Sequence, residues 1–122
     1  MGLFSKLFGD KGHRYEQRVA RHVGRKVEIT SRDKEYFKDS KRYCETDIET
    51  RSSAIEVKSG KGGNIKKQLD KYKEVTNKEP IGIAPNMKPR AKKEARQHYK
   101  IFDDSKSLRK YLIAKGDGKK KG

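Results

Sequence analysis

The chain predicts an α/β fold, and three observations carry the prediction. Arg42–Thr50 and Ala54–Lys58 alternate apolar and polar residues around the polar turn Arg51–Ser52–Ser53, the signature of a β-hairpin. Two other segments space apolar residues three and four apart, as helices packed on one face do: Tyr15, Val19, Val23 and Ile65, Leu69, Tyr72. A short apolar run, Pro80–Ala84, follows the second helix and reads as a buried strand. With the remaining elements the order is helix, three strands, helix, strand, then helix, strand, helix.

The elements are justified in turn. The first helix is expected over Gly12–Val23, with Gly24 as its stop. Lys26–Thr30 reads as the first strand. Ser31–Lys41 is charged and reads as a loop or a strand extension. Ser59–Gly63 is a mobile junction, since no phosphate-loop pattern is present. Asn64 can cap a helix that runs to Val75. Pro89 suits a helix start, and Arg90–His98 makes a basic helix. Tyr99–Phe102 is a last strand. Asp104 or Ser105 caps a final helix bearing Leu108, Tyr111 and Leu112 on one side. There is no internal repeat. The expected organisation is an N-terminal apolar segment over 1–11, one domain over 12–115 and a disordered Gly/Lys tail over 116–122.

Composition narrows the function. A chain of 122 residues with 30% hydrophobic and 41% charged residues supports one domain with a modest core. Its 33 basic and 17 acidic residues leave a net charge of +16, which repels itself unless a polyanion is the partner. Nucleic acid is the leading candidate and an anionic membrane surface the second. The single cysteine, Cys44, excludes an internal disulfide and fits a reducing cytoplasm. No Cys/His cluster has zinc spacing, and no apolar run approaches the ~20 residues of a membrane span. Leu3, Phe4, Leu7 and Phe8 form a small N-terminal apolar face, suited to docking on the domain or to a weak membrane or dimer contact.

The hairpin carries the chemistry. Centred on Arg51–Ser52, it sets Asp47 opposite Glu56 and Glu45 opposite Lys58. Glu45, Asp47, Glu49, Ala54, Glu56 and Lys58 then share one face, and Cys44, Ile48, Ile55 and Val57 the other. Opposed carboxylates repel across a hairpin. A divalent cation would turn that repulsion into a binding site beside Lys58. About three acid-x-Lys triplets are expected here by chance, so context rather than the triplet carries the signal. Glu16 sits beside the apolar stripe of the first helix, where a carboxylate is costly unless compensated. It is a third acid aimed at the hairpin, or a partner for Arg14, Arg18 or Arg21. Gln68 and Tyr72 share a helix face one turn apart.

Gly12-x-x-Tyr15-Glu16, Asp47, Glu56-Val57-Lys58 and Gln68-x-x-x-Tyr72 together resemble the PD-(D/E)xK nuclease superfamily. The likeness runs from about Gly12 to Leu112. Thr46 stands where the motif's proline would be. The last pair resembles the extra motif of the RecB-type branch, and small basic Holliday junction resolvases, which act as dimers, are similar too. The resemblance implies a restriction-endonuclease-like core, a mixed sheet flanked by helices in αβββαβ order. It also implies a metal-dependent DNA nuclease, with endonucleolytic cleavage expected. A Holliday junction resolvase or a non-catalytic nucleic-acid-binding module are the alternatives. Asp47, Glu56 and the Val57 carbonyl would supply ligands to Mg²⁺ or Mn²⁺, and Glu16 would hold a metal-bound water or a second ion. Lys58 would act on the attacking water or on the phosphate. Gln68 and Tyr72 would orient the substrate backbone or Lys58. Arg90, Lys92, Lys93 and Arg96 would neutralise neighbouring phosphates.

Overall fold

The apolar periodicities build their elements in the expected order. In the computed structural model, which describes residues 10–61 and 63–120, these are α1 (Asp10–Gly24), β1 (Ile29–Lys38), β2 (Lys41–Thr50), β3 (Ser53–Val57), α2 (Ile65–Val75), β4 (Glu79–Ile83), α3 (Pro89–Arg96), β5 (Lys100–Phe102) and α4 (Ser105–Ala114). The fold is α/β, with one mixed sheet of order β1-β2-β3-β4-β5. Short turns join β1 to β2 and β2 to β3, so these pairs are antiparallel. Helical crossovers α2 and α3 make β3, β4 and β5 parallel. The Leu/Phe segment expected at the N-terminus lies mostly outside the described residues. Among the described residues no helix is long and apolar enough to cross a membrane.

Alternation along the central strands feeds two cores. Val19 and Val23 of α1 and Leu108 and Leu112 of α4 cover Ile48, Ile55, Val57, Ile81 and Ile83 on one face. Ile65, Leu69 and Tyr72 of α2 and Ala95 of α3 cover Ala54 and Ile101 on the other. Gly82 lets α2 approach closely: a Cβ there would stand 2.6 Å from Ile65 Cδ1 and 2.8 Å from Ile101 Cδ1. Gly82 neighbours Glu56 in the parallel ladder, so this approach brings α2 over the hairpin acids.

Three expectations need correction. The first strand begins at Ile29 rather than Lys26 and runs on to Lys38, so the charged segment is the strand extension and not the loop. Most of its residues are exposed, so no apolar alternation marks it, and backbone pairing to β2 holds it. Asp39 and Ser40, both at positive φ, close its turn with the handedness that tight hairpins favour. Cys44 does not join Ile48, Ile55 and Val57; it packs in the opposite core with Ala54 and Tyr72. The alternation of β2 breaks near Asp47, beyond which the ladder to β3 is not continued.

The third correction concerns the tail, which does not leave the domain at Gly116. Asp117 is 1% exposed and accepts hydrogen bonds from Thr50 Oγ1 (2.7 Å), Ser52 N (3.1 Å), Ser52 Oγ (2.7 Å) and Ser53 Oγ (2.9 Å). Lys119 N donates to Lys26 O at 2.8 Å, and Gly118 bridges Val27. This latch ties the chain end to the hairpin turn through polar contacts that hydropathy does not reveal. Asp117→Ala leaves its buried donors unpaired and is expected to cost about 3 kcal/mol of stability, read from the urea midpoint. An unchanged midpoint would mean that the latch contributes nothing.

Candidate metal centre

The hairpin register follows from its turn. Ile48 pairs with Ile55 and Glu49 with Ala54. One step further, Asp47 does not continue the ladder. Its Oδ2 instead accepts the Val57 N–H at 2.8 Å, so the carboxylate stands in the seam between β2 and β3. On the other side of β2, Asp33 adopts φ +51°, a left-handed conformation that Asp tolerates better than most residues. It falls between the Arg32–Ile48 and Lys34–Thr46 pairs, at the level of Asp47. Burial of Val19 and Ala20 turns Glu16 of α1 inward. Carboxylate oxygens of Glu16, Asp33 and Asp47 all lie within 4.8 Å of one another. Glu16 is 8% exposed; its Oε1 has no hydrogen-bond partner, and its Oε2 is 3.8 Å from His13 Nδ1.

Glu56 approaches the same seam from β3 and is 5% exposed. Lys58 Nζ stands 3.3 Å from Glu56 Oε2. The buried Tyr72 hydroxyl contacts Glu56 Oε1 and lies 2.9 Å from the Glu45 carbonyl, so α2 holds the Glu56 carboxylate in place. Gln68 is half-buried one turn earlier and makes no side-chain hydrogen bond among the described residues. Glu49, placed by alternation on the acid face, belongs to a separate network. Tyr36 (2.6 Å), Thr46 (2.7 Å) and Lys78 (2.9 Å) donate to it.

The seam is electrostatically costly. Burial, then the charges of Glu56 and Glu16, push Asp47 well above the usual carboxylate range, against the Val57 N–H that lowers it. Burial, then hydrogen bonding and repulsion from Asp33, push Glu16 up to about 8, with Arg32 opposing. Burial, then the charges of Glu56 and Asp47, hold the Tyr72 phenol neutral far above its ordinary value. A divalent cation placed among these oxygens would offset that cost.

A pH dependence follows for the metal-free protein. A carboxyl whose folded value is raised favours folding fully below its unfolded value of 4.5, and that contribution is lost as pH rises towards 8. The acids with lowered values, Glu49, Asp70, Glu74, Asp103, Asp104 and Asp117, titrate below this window and do not offset it. Discounted for solvent screening, the loss is on the order of 3 kcal/mol. Urea midpoints at pH 5 and pH 8 in chelator should show the fall, and Glu16→Gln should reduce it, leaving the part that the raised Asp47 contributes. A midpoint that rises over this range would contradict the cluster's electrostatics.

Two of the four basic side chains expected to contact phosphates are engaged within the protein. Lys92 pairs with Asp103, and Arg96 donates to the Ile101 carbonyl at 2.8 and 3.1 Å and to Asp103 at 3.3 Å. Arg90 lies 3.9 Å from Glu94. Lys93 is exposed and forms no ion pair among the described residues. Sequence reasoning missed Asp33, whose place opposite Asp47 is legible only once β1 and its register are known. Comparison with family models, curated proteins and solved structures finds no match to the chain, so function is argued from these residues alone.

Proposed function

We propose that the chain is a divalent-metal-dependent nuclease with a restriction-endonuclease-like core of the PD-(D/E)xK type, hydrolysing phosphodiester bonds of DNA. The observation that carries this reading is the convergence of Glu16, Asp33 and Asp47, with the buried Glu56 acting on Asp47 and standing beside Lys58, in a chain of net charge +16. The donors are all oxygens, as Mg²⁺ or Mn²⁺ requires, and Glu16 Oε1, which has no hydrogen-bond partner, is available as a ligand. Asp47 and Glu56 would hold the ion, with Glu16 and Asp33 completing its surroundings. Bound there, it would polarise the phosphate and acidify a water.

The protein's own groups divide the remaining work. Val57 N–H fixes the Asp47 carboxylate, and Tyr72 fixes that of Glu56. Lys58 can donate to a phosphate oxygen and offset the charge that gathers there in the transition state. A purely binding protein gains nothing from this arrangement, because buried carboxylates weaken the fold and repel phosphate.

Purified protein incubated with linear, circular, single-stranded and four-way-junction DNA, with Mg²⁺ or with chelator, tests the reading. Cleavage of circles in Mg²⁺ alone supports an endonuclease, and preference for the junction supports a resolvase. No cleavage of any substrate at any Mg²⁺ concentration would defeat the proposal.

A further inference from the structure

We propose that the substrate backbone runs along a groove on α1, not along the basic helix α3. The groove has a volume of about 660 Å³, and Arg14, Tyr15, Arg18, Arg21, Ser59 and Asn86 line it. It lies beside the ends of the parallel strands β3 and β4, where Lys58–Ser59 and Ala84–Asn86 leave the sheet. Asn86 Nδ2 donates to Ser59 O at 2.7 Å and ties the two exits together. α1 abuts this point, since a Cβ on Gly12 would stand 3.7 Å from Ser59 Oγ.

Helical spacing sets the charge. Positions 14, 18 and 21 fall at i, i+4 and i+7, on one stripe of α1. The opposite stripe, Glu16, Val19, Ala20 and Val23, is buried. All three arginines are exposed, and none forms an ion pair among the described residues. This sets them apart from Lys92 and Arg96, which are held by Asp103. Arg18 lies 5.7 Å from the Tyr15 ring centroid, which restrains it over the groove. The charge of one carboxylate, Asp104, reaches Tyr15, and that group already accepts the Ser107 N–H at 2.7 Å.

The stripe spans about 10 Å along the helix. One DNA strand offers a phosphate every 3.4 Å or so of its axis, so about three phosphates fit. Ser59 lines the groove and directly follows Lys58, so the Ser59 end of the groove adjoins the acid seam. The identity of the polyanion as substrate rests on the nuclease reading.

The test is the salt dependence of duplex DNA binding, measured in chelator so that chemistry plays no part. Arg14→Ala/Arg18→Ala/Arg21→Ala should lower the slope of log affinity against log salt by roughly two to three. Lys88→Ala/Arg90→Ala/Lys93→Ala removes the same charge from α3 and its N-terminal cap position and should lower it by less than about one. The substituted side chains are exposed, so the fold is retained. Equal slopes for the two variants, or a larger loss in the α3 variant, would overturn the groove and leave the nuclease reading standing. Steep wild-type binding that depends on α1, with no DNA cut in Mg²⁺, would retain the groove and remove the nuclease reading.

Discussion

Asp47→Ala is expected to abolish Mg²⁺-dependent DNA cleavage while DNA binding is retained or strengthened. Asp47 is the acid common to both sides of the seam. It lies within 4.8 Å of Glu16 and Asp33, and its charge couples to Glu56. Removing it takes a ligand from any ion held there, and the expected loss of rate is roughly 10³-fold or more. Binding moves the other way, because a negative charge near phosphate is lost. The metal-free protein also gains stability near neutral pH, since the remaining acids no longer repel Asp47, although the Val57 N–H loses its acceptor. Single-turnover cleavage and filter binding on one preparation separate the two effects. Full cleavage by the variant would mean that the chemistry lies elsewhere.

Lys58→Ala is expected to lower turnover by roughly 10²-fold or more while weakening DNA binding far less. The ammonium group stands 3.3 Å from Glu56 at the mouth of the seam, half-exposed, where a bound phosphate would meet it. As one contact among many it would contribute about 0.9 to the salt slope. Its larger value would come from charge that develops only in the transition state. A loss confined to affinity, recovered at low salt with turnover intact, would reduce Lys58 to a simple phosphate contact.

The centre of the fold was legible because local rules agreed there. The polar turn at Arg51–Ser52 set the register that pairs Ile48 with Ile55, and helical spacing put Tyr72 over the hairpin. Legibility ended where polar contacts replaced apolar ones. β1 is exposed over most of its length, so no alternation marks it, and Asp33 stayed hidden with it. Asp117 docks through hydroxyls rather than through a hydrophobic anchor. Cys44 could not be assigned to a face by counting, because the strand turns near Asp47. Lys92 and Arg96 of α3 looked free in the sequence, but their partner Asp103 lies beyond the next strand.

The central claim is that one acid cluster in the β2–β3 seam both holds a divalent cation and drives cleavage. It is tested most directly by following plasmid nicking and thermal stability on the same Mg²⁺ titration at pH 8. A cation that binds only the folded protein raises stability with occupancy. Both readouts should therefore rise over the same concentration range, and both should be lost in Asp47→Ala. Nicking in the presence of chelator, or full stabilisation by Mg²⁺ in Asp47→Ala, would contradict it.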